Sequence, residues 1–188
     1  MKKELIWAGG VVAVIGIIVL IAKRNKSLYK DAGDKAMDSA VSKKTGNAVS
    51  TLHPKVKPKV EALLNASKNA GLPLLATSGM RDCAEQTKLY AKGRTAPGSV
   101  VTNAKCGESS HNFGTAVDVV PLENGKPNWN SKNWDKIGAI GKKVGLQWGG
   151  DWKSFKDKPH FEDNFGLSLK QMQNLVAQKK TNNGFVIV

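Results

Sequence analysis

The chain has 188 residues, 40% of them hydrophobic, and 29 Lys and Arg against 15 Asp and Glu give it a net charge of +14. That length and apolar content suffice for one globular domain plus a short appendage, and the charge draws its surface toward polyanions such as nucleic acid, anionic lipid or anionic cell wall. Nucleic acid is disfavoured, because there is no Cys/His finger spacing, no basic heptad region and no Gly-aromatic ribonucleoprotein signature, only lysines scattered along the chain.

Residues 5–22 (LIWAGGVVAVIGIIVLIA) carry no charge, and as a helix they would measure about 27 Å, near the thickness of the bilayer hydrocarbon. Lys2 and Lys3 precede them and Lys23, Arg24 and Lys26 follow, while residues 20–22 lack the small-x-small pattern of a cleaved signal. Residues 1–26 are therefore expected to form an uncleaved signal anchor, a transmembrane helix. By the positive-inside rule alone, Lys23, Arg24, Lys26 and Lys30 outweigh the two upstream lysines and would keep the domain cytoplasmic, so charge leaves the orientation open. Residues 27–50 have few large apolar side chains and read as a polar linker, in part helical.

A folded domain is expected over 51–180, with 181–188 as a tail. Val56, Val60, Leu63, Leu64 and Ala70 fall at helical spacing, with Gly71 as the stop. Leu72–Thr77 reads as a buried strand. Asp82 with Glu85 forms a capping-box signature for a helix running to Gly93, and about twenty residues of loop follow. Thr115–Val120 alternates as a strand, with Ala116, Asp118 and Val120 on one face, so a carboxylate interrupts an apolar strand. Ile137, Ile140, Gly141 and Val144 predict a helix ended by Gly145. Leu146–Trp148 and Pro159–Glu162 read as short strands, and Leu167–Gln178 as an amphipathic helix. No internal repeat is present. This order fits an α+β domain with a small antiparallel sheet flanked by helices rather than regular βαβ alternation.

The two cysteines, Cys83 and Cys106, are too few for a disulfide framework and lack the paired spacing of a structural zinc site. An exported domain could join them; two free thiols are the equal alternative. Chemistry concentrates in S-G-M-R at 78–81, S-S-H-N-F-G-T-A-V-D at 109–118 and W-G-G-D-W-K-S-F-K-D-K-P-H-F-E at 148–162. His111, Asp118 seven residues on, and the distant His160 could offer two imidazoles and a carboxylate to a tetrahedral ion, leaving a fourth position open for water. Spacing alone leaves this beside a plainer reading, in which each is a surface or satisfied core residue.

These motifs, S-x-H-x-x-G-x-A-x-D followed by D-x-x-H, resemble the VanY-like zinc peptidases, which include D-alanyl-D-alanine carboxypeptidases and the L-alanyl-D-glutamate endopeptidases of phage lysins and bacilli. The resemblance runs from about Leu52 to Glu162, with Arg81, Gln86, Gly93-Arg94-Thr95 and Trp148-Gly149-Gly150 in order. The compact spacing and W-G-G-D-W look closer to the endopeptidases. The resemblance implies one zinc per chain held by His111, Asp118 and His160, with Asp157 as general acid/base. It further implies that Arg81 supplies positive charge to the scissile carbonyl and helps bind substrate, that Ser109 holds substrate or supports a ligand, and that Gln86 is structural. Glu162, on the strand face of His160, is the competing base. Glu108 carries no assignment, and His53, outside every motif, is expected at the surface.

The implied activity is hydrolysis of peptidoglycan stem peptides, with the L-Ala–D-Glu bond favoured, D-Ala-D-Ala carboxypeptidase action as runner-up, and a non-catalytic wall-binding module with a structural zinc site as the rival of a different class. The expected setting is a monomer on the bacterial inner membrane, its domain facing the periplasm or wall. The moderately apolar anchor also resembles signal-anchor-release lysins.

Overall fold

The computed structural model describes residues 35–188, and the apolar stretch 5–22 lies outside them. Among the described residues, no helix is long and apolar enough to cross a membrane. The chain collects into a compact unit from Val41 to Val188. Residues 35–50 are helical (α1), and the last turn of this helix docks on the domain expected to begin at residue 51. Ala48 and Val49 enter the main hydrophobic core, and the hydroxyl of Thr45 accepts a hydrogen bond from the Ala76 backbone N–H at 3.2 Å. Two small apolar residues near the end of a polar stretch carry little periodicity, yet they suffice to dock the last turn.

Helix α2 (Lys57–Asn69) buries Val60, Leu63 and Ser67 on one stripe. Strand β1 (Leu74–Ser78) follows, then α3 (Cys83–Ala91), whose Asp82 cap accepts the Glu85 N–H at 2.7 Å. After a long loop come β2 (Ala116–Glu123) and β3 (Lys126–Pro127), then α4 (Trp134–Lys143), β4 (Gln147–Trp148) and β5 (His160–Glu162). These strands form one antiparallel sheet in the order β1-β2-β5-β4, with β3 paired to β2. The fold is α+β, as the element order predicts.

Helices α2 and α4 pack together against one face of the sheet, where Val117, Val119, Phe161 and Trp148 meet Val60, Leu63 and Ile137. Gly141 permits the contact, since a Cβ there would lie 2.3 Å from the Phe161 ring. The opposite face of β2, at Asp118, is left for the site.

Helix α5 (Leu169–Ala177) starts at Ser168 with a reciprocal capping box to Gln171. Residues 181–188, expected as a tail, contain a hairpin of β6 (Thr181–Asn182) and β7 (Phe185–Val186). Val186 joins Met172 and Phe113 in a second apolar cluster. The expectation of a surface His53 is corrected: it is 5% exposed, with its ring between Phe165 and Phe185 at centroid distances of 4.9 and 5.4 Å. Its Nε2 donates to the Val186 carbonyl at 3.0 Å and its Nδ1 accepts the Lys55 N–H at 3.1 Å. With both nitrogens satisfied, burial costs the ring little.

Candidate metal centre

Three elements converge near the start of β2, at Asp118. Antiparallel register puts Asp118 directly opposite His160 on β5 and beside Ser78 at the end of β1, so their side chains share a face at short cross-strand spacing. His111 arrives on a 3-10 turn, Ser110–Phe113. Its Nε2 lies 3.2 Å from Asp118 Oδ1, and His160 Nδ1 approaches the same oxygen at 3.4 Å. One donor atom from each of the three residues falls within 4.8 Å of the others.

The outward atoms are also held. His111 Nδ1 donates to the Gly79 carbonyl at 2.7 Å, Arg81 Nη2 donates to Asp118 Oδ2 at 3.0 Å, and His160 Nε2 donates to Glu162 at 3.0 Å. Two imidazole nitrogens and a carboxylate oxygen, aimed inward and braced from behind, fit a divalent zinc ion with room for a fourth ligand. The charge pattern agrees: in a chain of net charge +14, Asp118, Asp157, Glu162 and Glu108 line one cleft.

The electrostatics follow from this crowding. Burial works to raise the carboxyl pKa of Asp118, but the charge and hydrogen bonding of His111, and then of His160, override it and hold the group far below the usual range. Burial opposes charge on His160, yet hydrogen bonds to Asp118 and Glu162 push its pKa up to about 9. A cation entering here competes with that proton for the same lone pair. For Glu162, burial raises the carboxyl, but hydrogen bonding to His160 prevails and leaves it lowered. Asp157 moves the other way, raised first by burial and then by the charge of Asp118.

Asp157 owes its position to Trp148-Gly149-Gly150. Its N–H donates to the Gly149 carbonyl at 3.0 Å, and Trp148 Nε1 donates to the neighbouring Lys158 carbonyl at 2.8 Å. A Cβ on Gly149 would stand 2.5 Å from the Asp157 carbonyl oxygen, so only glycine admits this loop. Arg81 is buried, and besides the Nη2 bond to Asp118, Nε donates to Ser78 Oγ at 3.2 Å and Nη1 to Gln86 Oε1 at 2.9 Å. Gln86 passes the connection on to the Ala104 carbonyl, a structural link between α3 and the loop. Arg94 braces the same loop through the Thr102 carbonyl and the Asn103 side chain. Cys83 and Cys106 are joined in a disulfide with Cα atoms 4.8 Å apart.

The cleft of about 550 Å³ brings together His111, Asp118, His160, Arg81, Asp157 and Ser109, a volume suited to a peptide segment. Ser109 also accepts the His111 N–H at 3.4 Å as a cap. The buried serine at the centre is instead Ser110, whose hydroxyl donates to Glu162 at 2.5 Å. Sequence reasoning passed over Ser110, Asn164 and Trp152, whose ring lies 5.0 Å from that of His160. Only the H-x-E alternation hinted at any of them, through Glu162.

Comparison with known proteins places the chain. Residues 102–163 match the peptidase M15 family model described as D-alanyl-D-alanine carboxypeptidase. The peptidoglycan L-alanyl-D-glutamate endopeptidase CwlK of Bacillus subtilis (strain 168) is 42% identical over 123 residues, covering 60% of this chain and 74% of CwlK. The L-alanyl-D-glutamate peptidase of Listeria phage A118 is 28% identical over 120 residues, 62% of this chain and 40% of the phage protein. Among solved structures, the Serratia marcescens L-Ala D-Glu endopeptidase ChiX aligns with a TM-score of 0.52 at 25% identity, covering 65% of this chain and 87% of ChiX. With the His111, Asp118 and His160 cluster at its centre, the chain belongs to the peptidase M15 family of VanY-like zinc peptidases.

Proposed function

We propose that this protein is a zinc-dependent endopeptidase that cuts the L-Ala–D-Glu bond of peptidoglycan stem peptides. The observation that carries the reading is the trio of His111, Asp118 and His160, donor atoms within 4.8 Å, opening onto a cleft that also holds Asp157 and Arg81. The names of CwlK, the phage peptidase and ChiX support this choice of bond. Zinc bound there would act as a Lewis acid and bring the pKa of a water down to about 7. Asp157, its basicity raised by burial, accepts the proton of the attacking water and returns it to the leaving amine. Arg81 orients Asp118 through Oδ2 and adds positive charge where the scissile carbonyl becomes an oxyanion.

The proposed setting is the cell envelope. The uncharged run 5–22 and its flanking lysines support an anchor in the inner membrane, with the domain on the periplasmic or wall side where its substrate lies. Full-length protein should then sediment with membranes; fractionation as a soluble protein would overturn the anchor. For the activity, purified peptidoglycan is digested and its new termini are read by mass spectrometry. New D-Glu amino termini are expected. Release of free D-Ala would instead establish carboxypeptidase action, and intact peptides a wall-binding module.

A further inference from the structure

Each proposed zinc ligand has a partner on its outer side, and for His160 that partner is a carboxylate. Glu162 Oε2 lies 3.0 Å from His160 Nε2 and also accepts the Ser110 hydroxyl at 2.5 Å. Ser110 Oγ in turn accepts from Asn164 Nδ2 at 3.0 Å, and Asn164 Oδ1 accepts from Thr115 Oγ1 at 2.6 Å. Ser110 and Thr115 are buried. The first of these bonds, Ser110 to Glu162, therefore ties the turn carrying His111 directly to the strand carrying His160, and Asn164 and Thr115 brace Ser110 from behind.

An imidazole offers a metal only its unprotonated nitrogen, so the group that takes the other N–H selects tautomer and ring orientation together. With Nε2 committed to Glu162, Nδ1 is left facing Asp118 Oδ1 at 3.4 Å. The side chain of Glu162 is 12% exposed, and its Oε2 is engaged by two donors, which suits a support better than a proton carrier. Resting on the zinc reading above, we propose that Glu162 is a positioning residue: it fixes His160 for Nδ1 ligation and, through Ser110, locks the spacing between the two histidine-bearing elements.

The test measures zinc affinity of the full chain by competition with a chromogenic chelator, alongside the ¹⁵N NMR signature of the His160 ring. Glu162→Ala should weaken zinc binding by about 10- to 100-fold and release the ring from a single Nε2–H tautomer. Glu162→Gln, whose amide oxygen can still accept the His160 Nε2–H hydrogen bond, should lose only severalfold. Ser110→Ala should also lose severalfold, and these two variants carry the test if Glu162→Ala fails to fold. Wild-type affinity in Glu162→Ala, or in both milder variants, overturns the proposal. Lost hydrolysis with affinity intact does so too, because it would make Glu162 the proton carrier. A wild-type chain that binds no zinc overturns the proposed function itself and this inference with it.

Discussion

Replacing Gly149 with Ala tests whether Trp148-Gly149-Gly150 positions Asp157. The added Cβ would stand 2.5 Å from the Asp157 carbonyl oxygen and 3.1 Å from His160 Cβ. Ordinary contact begins near ~3.5 Å, so the Asp157 backbone must retreat by roughly 1 Å. Two bonds resist the movement, Asp157 N–H to the Gly149 carbonyl and Trp148 Nε1 to the Lys158 carbonyl. Overpacking of this kind costs about 1–3 kcal/mol, or roughly 2–12 °C in Tm for a domain of this size. Displacing a reacting group by ~1 Å costs about 100-fold in rate. Steady-state hydrolysis of a stem-peptide substrate should therefore show kcat down about 100-fold with KM little changed, and elemental analysis should still find zinc. A kcat within about twofold of wild type would refute the reasoning, because a shift of this size is expected to cost far more. Loss of zinc would show that His160 moved instead of Asp157.

Asp157→Asn keeps shape but removes the basic oxygen, so turnover should fall by about two to four orders of magnitude with zinc content near wild type; zinc loss would mark Asp157 as a ligand. Strong chelators should abolish hydrolysis and zinc restore it, and His111→Ala or His160→Ala should each lose metal; full activity in metal-free protein would exclude the mechanism. Reducing Cys83–Cys106, a cross-link across 23 residues, should cost about 3 kcal/mol by loop entropy and lower Tm by roughly 6–12 °C; an unchanged melting curve in reductant would show that the cross-link adds nothing.

Much of the domain is legible in local pattern. Period-3.6 apolar stripes mark α2 and α4, and the Asp82 cap marks α3, because amphipathic burial and orphan helix N–H groups are satisfied within one segment. Alternation through Val117 to Val120 marks β2 and places a carboxylate on its site face. The motifs around His111, Asp118 and His160 were likewise readable as chemistry, since their residue types and spacing survive in the linear order.

What only the tertiary structure decided depends on contacts between distant segments. The bonding of Cys83 to Cys106 stood open in the sequence and follows from where α3 meets the loop. Burial of His53 requires Phe165, Phe185 and the Val186 carbonyl, all more than a hundred residues away. The last turn of α1 is core because α1 meets β1 through Thr45 and Ala76, not because its own composition is apolar. The hydrogen-bonded surroundings of Glu162 are of the same kind. Strand alternation aims Glu162 to the side of His160, but it cannot reveal that Ser110, fifty-two positions earlier, holds that carboxylate in place. Periodicity reports which way a side chain points; which partner waits there is set by how the chain closes on itself.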